Sequence, residues 1–263
     1  MMNDALFSVA DQVVLVSGGS RGIGKAIAHG FAERNARVIV TGRNAETLSQ
    51  TAEEISTGTH PVVPLVCDVG DTESIQQLMT QIDDRFDHVD CLLNVAGVNK
   101  RQRAETFTTE EYDFILDINL KGAYFLSVEV GKRMIARKSG AQINIDSLNT
   151  YAPLQGVLPY AMSKAGLVMM TRGLATEWGP HGIRVNTIAP GFILTDLTNK
   201  LWAQPHMQDW ADKNTPLKRL GEVDDLVGAA IFLASPASAF MTGQIVRVDG
   251  GVTAGIMWPI ELD

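Results

Sequence analysis

Tyr160 and Lys164 are the residues whose types and spacing most directly suggest chemistry. They stand four positions apart in a stretch, 160–178, that has the periodicity of a helix. Residues i and i+4 lie on one face of a helix, with Cβ atoms about 5–6 Å apart. We therefore expect the Lys164 ammonium to favour the Tyr160 phenolate and to lower the pKa of Tyr160 from its reference of about 10. Such a phenol can give a proton to an alkoxide or take one from an alcohol.

Ser147 is a second candidate, because it lies at the end of a predicted strand, 142–145, and thirteen positions before Tyr160. Side chains at the carboxyl ends of parallel strands face the crevice in which ligands bind. A serine alone would most often cap a loop. Because Tyr160 and Lys164 follow it in the sequence, its hydroxyl can instead donate to the carbonyl oxygen of a substrate. We therefore predict a catalytic role for Ser147.

A glycine-rich turn follows the first predicted strand, 13–16, and precedes a predicted helix, 22–35. Gly18, Gly22 and Gly24 allow a tight bend, close approach of the backbone to a pyrophosphate, and phosphate binding at the helix N-terminus. The same turn matches G-x-S-x-G, the nucleophile elbow of α/β-hydrolases. That motif needs strands upstream, and only 17 residues precede Gly18. We therefore predict a dinucleotide site.

The end of the second predicted strand, 36–41, indicates which dinucleotide is bound. An NAD enzyme of this architecture places a carboxylate there, which binds the ribose 2′-hydroxyl. This chain has Gly42 and then Arg43. Arg43 and Arg21 can form charge-assisted contacts with a 2′-phosphate, which a carboxylate would repel. We predict a preference for NADP(H), with NAD(H) as the alternative.

Short apolar segments alternate with amphipathic segments along the chain, which is typical of an α/β protein with a parallel sheet covered on both faces. The predicted strands are 13–16, 36–41, 62–67, 91–94, 142–145, 184–188 and 244–248, and the predicted helices are 22–35, 44–56, 72–86, 109–136, 160–178 and 223–234. No linker divides the sequence, so we expect a single doubly wound Rossmann-type domain over 1–263. We interpret its least regular part, 192–221, as a substrate-binding lid, or else as a helical excursion whose Trp side chains complete the core.

Composition excludes several classes of protein. The 263 residues are 45% hydrophobic and carry a net charge of −8, which argues against disorder and against nucleic acid or anionic membranes as partners. Cys67 and Cys91 lie in apolar segments without a partner at metal-ligand spacing, so neither a disulfide framework nor a metal site is expected. No apolar run reaches the roughly 18 residues of a membrane span, and no signal-peptide pattern opens the chain. We expect a cytoplasmic protein whose partner is a small molecule.

These residues together resemble the short-chain dehydrogenase/reductase (SDR) family over about residues 10–251. The family's glycine motif matches 17–24 with Ser17 in place of Thr, and its Asn-Asn-Ala-Gly motif matches 94–97 with Val95 in place of the second Asn. The family's Tyr-x-x-x-Lys pair matches Tyr160 and Lys164. The resemblance implies a seven-stranded, mostly parallel sheet in the order 3-2-1-4-5-6-7, NAD(P)-dependent oxidoreductase activity and a homotetramer.

The resemblance also implies residue roles. Asn119 is expected to kink its helix and to hold a water that links Lys164 to solvent, while Lys164 also contacts the nicotinamide ribose. The expected catalytic residues are Asn119, Ser147, Tyr160 and Lys164. The expected cofactor-binding residues are Gly18, Ser20, Arg21, Gly22, Ile23, Gly24, Arg43, Asp68, Val69, Asn94, Ala96, Gly97, Lys164, Pro190, Gly191, Ile193 and Thr195.

The substrate class is predicted from the loops around this site. A basic cluster, 100–103, follows the fourth predicted strand and can attract a carboxylate or phosphate, although an ordinary solvated loop has the same composition. This loop resembles that of gluconate 5-dehydrogenase and 2-keto-3-deoxygluconate oxidoreductase members of the family. The candidate substrate contacts are Asn149, Gln155, Phe192 and Trp202. We expect a sugar acid, keto-sugar or polyol as substrate; the alternatives are a 3-oxoacyl thioester (acyl carrier protein) reductase and an inactive NADP-binding scaffold or sensor.

Overall fold

The computed structural model describes residues 5–196 and 198–258 of the chain. Seven strands form one sheet in the order β3-β2-β1-β4-β5-β6-β7, and all neighbouring strands are parallel. The strands are β1 (Val13–Ser17), β2 (Arg37–Gly42), β3 (Val63–Val66), β4 (Cys91–Asn94), β5 (Gly140–Ile145), β6 (Ile183–Pro190) and β7 (Ile245–Val248). The α-helices are α1 (Gly22–Ala32), α2 (Ala45–Ile55), α3 (Thr72–Asp83), α4 (Thr109–Leu116), α5 (Ala123–Arg137), α6 (Leu158–Trp178), α7 (Asn199–Trp202), α8 (Pro205–Asn214) and α9 (Val227–Ala234). The predicted fold class and strand order are confirmed.

Both faces of the sheet are covered, which explains why its strands are apolar without strict alternation. Helices α1, α2 and α9 pack an apolar layer on one face, and α3, α5 and α6 pack the layer on the other. The chain changes direction across the sheet between β1 and β4. In sheets of this class the crevice at such a switch point, at the carboxyl ends of the strands, is where ligands bind.

The single helix predicted over 109–136 is wrong. The segment forms α4, then a π-helical segment (Asp117–Gly122), then α5. Hydrophobic periodicity does not reveal one inserted residue, because the apolar faces on either side of it remain helical. Gly122 ends the π-helical segment, where an added Cβ would lie 2.1 Å from the Val69 carbonyl oxygen. This close approach requires glycine and holds the π-helical segment, with buried Asn119 inside it, against the loop after β3.

The stretch 192–221 is partly helical, since it contains α7 and α8. Phe192 and Trp202 form an apolar cluster with Leu148 and Ala211, separate from the two layers on the sheet. The Phe192 ring packs edge-on against Trp202 and against Trp210, with ring centroids 5.2 Å apart in each pair. Lid function for this stretch and a single domain over 1–263 stay predictions, and residues 1–4, 197 and 259–263 lie outside the described residues.

Buried polar side chains connect the central strands beneath the carboxyl edge. The Asn94 amide on β4 donates to Asn144 Oδ1 on β5 at 2.8 Å, and the Asn144 amide donates to Thr171 Oγ1 on α6 at 2.8 Å. Thr171 and Thr187 on β6 share a hydrogen bond of 2.8 Å. Because a buried polar group without a partner is destabilising, this chain of contacts fixes the positions of three strands and one helix relative to each other.

Candidate active site

Three of the predicted catalytic residues meet at the carboxyl edge of β5. Lys164 on α6 is buried, and its ammonium donates to the carbonyl of Ile145, the last residue of β5, at 2.7 Å. Tyr160 lies one turn earlier on α6, and the Lys164 nitrogen is 5.6 Å from the centre of its ring. Ser147, just beyond β5, is in hydrogen-bonding contact with the Tyr160 hydroxyl. The helical spacing and the strand end identified in the sequence thus bring Ser147, Tyr160 and Lys164 together.

The protonation of this group differs from the expectation based on sequence. Burial raises the pKa of Tyr160 to about 12, although the hydrogen bond from Ser147 lowers it. Burial also lowers the pKa of Lys164 to about 8. The expected lowering of the Tyr160 pKa by Lys164 is therefore wrong for this arrangement, because the loss of solvation outweighs an ammonium that donates to Ile145. At neutral pH the Tyr160 phenol carries its proton.

Asn119 joins the group through backbone contacts. Its Oδ1 accepts from the Val98 nitrogen at 2.8 Å, and its Nδ2 donates to the Val98 carbonyl at 2.9 Å. The same Nδ2 donates to Ser163 Oγ at 3.1 Å, and this hydroxyl donates to the Tyr160 carbonyl at 2.7 Å. The helix distortion implied by the family resemblance is present as the π-helical segment. The water that Asn119 would hold stays a prediction.

The glycine turn between β1 and α1 presents backbone rather than side chains. Gly18 has a φ of 81°, and a Cβ added there would lie 2.6 Å from the Ala96 nitrogen. A Cβ on Gly24 would lie 2.1 Å from the Gly18 carbonyl oxygen, so only glycine lets α1 pack directly behind the turn. Ile23 packs against the core, and in the described part of the chain the N-cap residue Arg21 makes no side-chain hydrogen bond to the first turn of α1. Its N–H groups are therefore available for phosphate oxygens, which fits a dinucleotide.

Two arginines flank this turn. Arg21 precedes α1, Arg43 follows β2, and both are exposed. Within 5–196 and 198–258, neither guanidinium has a hydrogen bond or an ion pair. Gly42 lies against Ser20, whose carbonyl accepts from Thr51 Oγ1 at 2.8 Å. Two cations that have no carboxylate partner among the described residues fit a dinucleotide that carries a 2′-phosphate.

Loops after β4 and β6 complete the crevice. A Cβ added at Gly97, after β4, would lie 3.7 Å from Lys164 Nζ, so this loop borders the catalytic group. A Cβ added at Gly22 would lie 3.8 Å from the Thr195 side chain, so the segment after β6 borders the glycine turn. Pro190, Gly191 and Ile193 occupy the end of β6 and the residues between it and Thr195.

Two other predicted cofactor residues have structural contacts of their own. Asp68 Oδ1 accepts from the Gly70 nitrogen at 3.0 Å and so shapes the loop after β3, which continues through Val69. The Asn94 side chain points into the core, where it donates to Asn144. Asn94 therefore offers the crevice its backbone and not its amide.

The candidate substrate contacts fall into two groups. Asn149 is buried beside the catalytic group, and its Nδ2 donates to Ser147 Oγ at 3.0 Å, while Gln155 is exposed on the following loop. Phe192 and Trp202 are buried in the apolar cluster of 192–221. The indole nitrogen of Trp202 has no hydrogen-bond partner in the described part of the chain. Contact of these four residues with substrate stays a prediction.

The basic cluster 100–103 is partly neutralised. Lys100 forms an ion pair with Glu111 on α4, and Glu111 also accepts from the Gln102 amide at 2.5 Å. Arg101 is exposed and pairs with no carboxylate among the described residues. The backbone of Gln102 donates to the Gly156 carbonyl at 2.9 Å, and a Cβ on Gly156 would touch Arg101. The cluster thus packs against the loop that leads into α6, where it leaves Arg101 unpaired.

Asp146 belongs to the site and was missed in the sequence. It lies between the last residue of β5 and Ser147, and it is 2% exposed. Its one sequence signal is an acidic residue directly after an apolar strand and directly before the candidate serine.

A family model described as Enoyl-(Acyl carrier protein) reductase matches residues 18–253. The parallel sheet, the glycine turn and the Ser147–Tyr160–Lys164 group are those expected from the family resemblance. The chain belongs to the short-chain dehydrogenase/reductase family. It is accordingly an oxidoreductase acting on CH–OH groups, which sets aside the alternative of an inactive scaffold.

Relatives with different named substrates match the chain over nearly its whole length. The gluconate 5-dehydrogenase of Gluconobacter oxydans (strain 621H) is 36% identical over 256 residues, which cover 97% of this chain and 100% of the relative. A 3-oxoacyl-[acyl-carrier-protein] reductase of Synechocystis sp. is 36% identical over 244 residues, 92% of this chain and 96% of its own. The chain also matches the crystal structure of a gluconate 5-dehydrogenase from Burkholderia cenocepacia J2315 in complex with NADP and tartrate. The sequence identity is 34% and the TM-score is 0.92, and the match covers 96% of this chain and 99% of that one.

Proposed function

We propose that the chain transfers a hydride between NADP(H) and the carbonyl or secondary alcohol of a sugar acid, keto-sugar or polyol, with Tyr160 as general acid and base. The observation that carries this proposal is the grouping of Ser147, Tyr160 and Lys164 at the sheet edge, next to the glycine turn. When bound, the nicotinamide supplies or accepts the hydride. The protein's own residues orient the carbonyl and move the proton.

Tyr160 suits the reducing direction because its phenol is protonated at neutral pH. Asn149 donates to the Ser147 hydroxyl, so Ser147 uses its own proton as a donor. In the proposed complex this proton turns from the Tyr160 oxygen to the substrate carbonyl oxygen held beside Tyr160. As that oxygen gains negative charge, the phenol transfers its proton to it. The nearby ammonium of Lys164 stabilises the phenolate that remains. In the oxidising direction, this phenolate takes the proton of the alcohol.

Replacing Tyr160 with Phe tests the acid–base role. We expect kcat of Tyr160→Phe to fall by about 10²–10⁴-fold, because proton transfer is lost. The Kd of NADPH, measured by fluorescence titration, should stay nearly unchanged, since the glycine turn and the arginines are intact. Tyr112→Phe, in an exposed tyrosine on α4, is the matched control and should retain turnover. Substantial residual activity in Tyr160→Phe would refute the assignment.

We propose NADP(H) as the preferred cofactor, on the two unpaired arginines and the absence of a carboxylate at the end of β2. Arg43→Ala should raise the KM of NADPH by about tenfold or more and that of NADH by no more than about twofold. A hydrogen bond to a charged group is worth about 1.5–3 kcal/mol, and each 1.4 kcal/mol is a factor of ten. Arg85→Ala, which removes another exposed arginine, should leave both constants near wild type. Equal increases for the two cofactors in Arg43→Ala would count against a 2′-phosphate contact.

The sugar-acid assignment rests on Arg101 and on the relatives. Arg101 is a cation without a carboxylate partner among the described residues, and it lies where the cluster 100–103 contacts Gly156 on the loop that leads into α6 and Tyr160. A carboxylate on the substrate would pair with it. Two of the relatives reported above are named gluconate 5-dehydrogenases, and one of them was crystallised with tartrate.

Turnover measurements with NADPH distinguish the substrates. We expect 5-ketogluconate to be reduced and acetoacetyl thioesters to be poor substrates. Arg101→Gln should raise the KM for 5-ketogluconate several-fold and leave the KM for a neutral keto-sugar unchanged, whereas Arg101→Lys keeps the charge and should lie between. No turnover of any sugar-derived ketone would overturn the assignment.

Reduction of a 3-oxoacyl thioester is the second candidate. Trp210, which packs on buried Phe192 and is 39% exposed, offers an apolar surface for an acyl chain. A relative at 36% identity is named 3-oxoacyl-[acyl-carrier-protein] reductase. Efficient turnover of acetoacetyl thioesters in the same measurements would favour this candidate.

We propose a homotetramer that associates through the outer faces of α4, α5 and α6. Large apolar side chains are exposed there, among them Phe114 (50% exposed), Tyr124 (43%) and Met169 (63%), and contiguous apolar surface of this kind marks an interface. Sedimentation velocity should show four chains in the wild type and smaller species in Met169→Glu. Leu217→Glu, at an exposed leucine outside these helices, should keep the wild-type assembly, and a monomeric wild type would contradict the proposal.

We also propose that the protein acts in the cytoplasm, which cell fractionation can test. Both cysteines are buried free thiols, as in a reducing compartment. None of the described helices combines the length and apolarity required to cross a bilayer.

A further inference from the structure

Thr198 lies directly before α7 but does not cap that helix. A threonine in this position ordinarily accepts a hydrogen bond from a backbone nitrogen in the first turn of the helix. Among the described residues, the Thr198 side chain makes no such bond. Its hydroxyl instead contacts Ile193 and Thr195, in the segment that follows β6. The hydrogen bonds of Thr198 thus organise this segment and not the helix.

The distances around the Thr198 hydroxyl determine which atom donates in each contact. The Thr195 backbone nitrogen donates to Thr198 Oγ1 at 2.9 Å. Thr198 Oγ1 lies 2.7 Å from the Ile193 carbonyl oxygen, which can only accept, so the Thr198 proton is used there. A longer contact of 3.3 Å to the Thr195 carbonyl shares this proton. The two hydroxyls lie 3.1 Å apart, so the Thr195 hydroxyl is the donor between them.

These contacts use the whole hydrogen-bonding capacity of Thr198 Oγ1, since a hydroxyl has one proton and two lone pairs. Thr198 therefore has no donor or acceptor left for a ligand. The Thr195 hydroxyl, by contrast, accepts no hydrogen bond from the described residues, and the Ile193 carbonyl uses one of its two lone pairs. Thr198 thus fixes two groups that can still accept hydrogen bonds from a bound molecule.

Ile193 and Thr195 border the path between the glycine turn and the catalytic group. β6 lies next to β5, whose end carries the catalytic serine, and a Cβ added at Gly22 would lie 3.8 Å from the Thr195 side chain. For its ring to reach Tyr160, the nicotinamide half of the cofactor has to lie along this path. Arg43 follows β2, four strands from β6 and therefore about 19 Å away across the sheet. The adenosine end that Arg43 would bind is thus remote from Thr198.

We propose that Thr198 is a positioning residue for the cofactor, which holds the Ile193 carbonyl and the Thr195 hydroxyl where the nicotinamide half binds. The proposal rests on the dinucleotide binding proposed above and does not depend on the acid–base role of Tyr160. It assigns Thr198 no contact with cofactor or substrate. It explains why a hydroxyl at the start of a helix is turned back toward the preceding segment.

Thr198→Val removes the hydroxyl and keeps the size and branching of the side chain. Because each lost hydrogen bond is worth a factor of about two to ten, we expect the Kd of NADPH to rise by about fivefold or more. The Kd of 2′,5′-ADP, which has the adenosine end without the nicotinamide, should stay within about twofold of wild type. Thr198→Ser keeps the hydroxyl and should bind NADPH nearly as the wild type does. Isothermal titration calorimetry measures these constants without turnover.

Thr80→Val is the matched control. The Thr80 hydroxyl on α3 also donates to a backbone carbonyl, that of Gln76 at 3.2 Å, but it belongs to none of the segments that form the crevice. Its removal should change neither Kd. If Thr198→Val does not fold, Thr198→Ala removes the same hydroxyl and carries the same expectation. The proposal is wrong if the Kd of NADPH stays unchanged, or if NADPH and 2′,5′-ADP are weakened to the same extent.

The titrations also separate this proposal from the proposed function. If Tyr160→Phe retains activity, the general-acid role fails, while the effect of Thr198→Val on NADPH binding stands. If the wild type does not bind 2′,5′-ADP, the 2′-phosphate contact fails, and the same comparison made with NADH and ADP then tests Thr198. A wild type that binds neither NADPH nor NADH would overturn both proposals.

Discussion

The structure of the site depends on one buried ammonium. Lys164 on α6 is buried. A cation that has lost its contact with water is stable only where oxygen atoms are fixed around it. The Ile145 carbonyl at 2.7 Å is one such atom, and it is the last carbonyl of β5. The contact therefore fixes α6 against the end of the strand, so that Tyr160, one turn earlier on the helix, is held beside Ser147. The grouping of Ser147, Tyr160 and Lys164 is thus a consequence of solvating a buried charge.

This arrangement requires that β5 and its neighbours keep their relative positions, and buried polar contacts supply that constraint. Apolar side chains alone tolerate sliding between neighbouring layers, whereas a hydrogen bond breaks when its partners shift. The contacts from Asn94 through Asn144 and Thr171 to Thr187 run from β4 to β6 just below the site. Asn94 is therefore better understood as part of the support for the crevice than as part of its surface.

Much of the fold was predictable because its signals are local. The glycine turn directly after an apolar strand, and Tyr160 and Lys164 on one helical face, are short-range patterns whose geometry follows from backbone rules. The π-helical segment, the ion pair of Lys100 with Glu111 and the raised pKa of Tyr160 were not predictable in the same way. Each depends on contacts between segments distant in sequence, or on how much hydration a side chain loses in the finished fold. A local sequence pattern predicts neither of these. Asp146 was missed for the same reason, since its burial and its hydrogen bond with Thr150 appear only in the finished fold.

The packing separates residues whose positions are fixed by the core from residues that can be substituted without disturbing it. Ser147, Tyr160 and Lys164 are tied to the central sheet and to α6, so a change there disturbs the core. Phe192, Trp202 and Trp210 pack on one another in a cluster of their own. Arg101 lies on the loop after β4, at the end that contacts the turn at Gly156. Substitutions in these two segments can change the shape and charge of the crevice without moving Ser147, Tyr160 and Lys164. Relatives of about equal identity that are named for a sugar acid and for an acyl thioester are what such an architecture would produce.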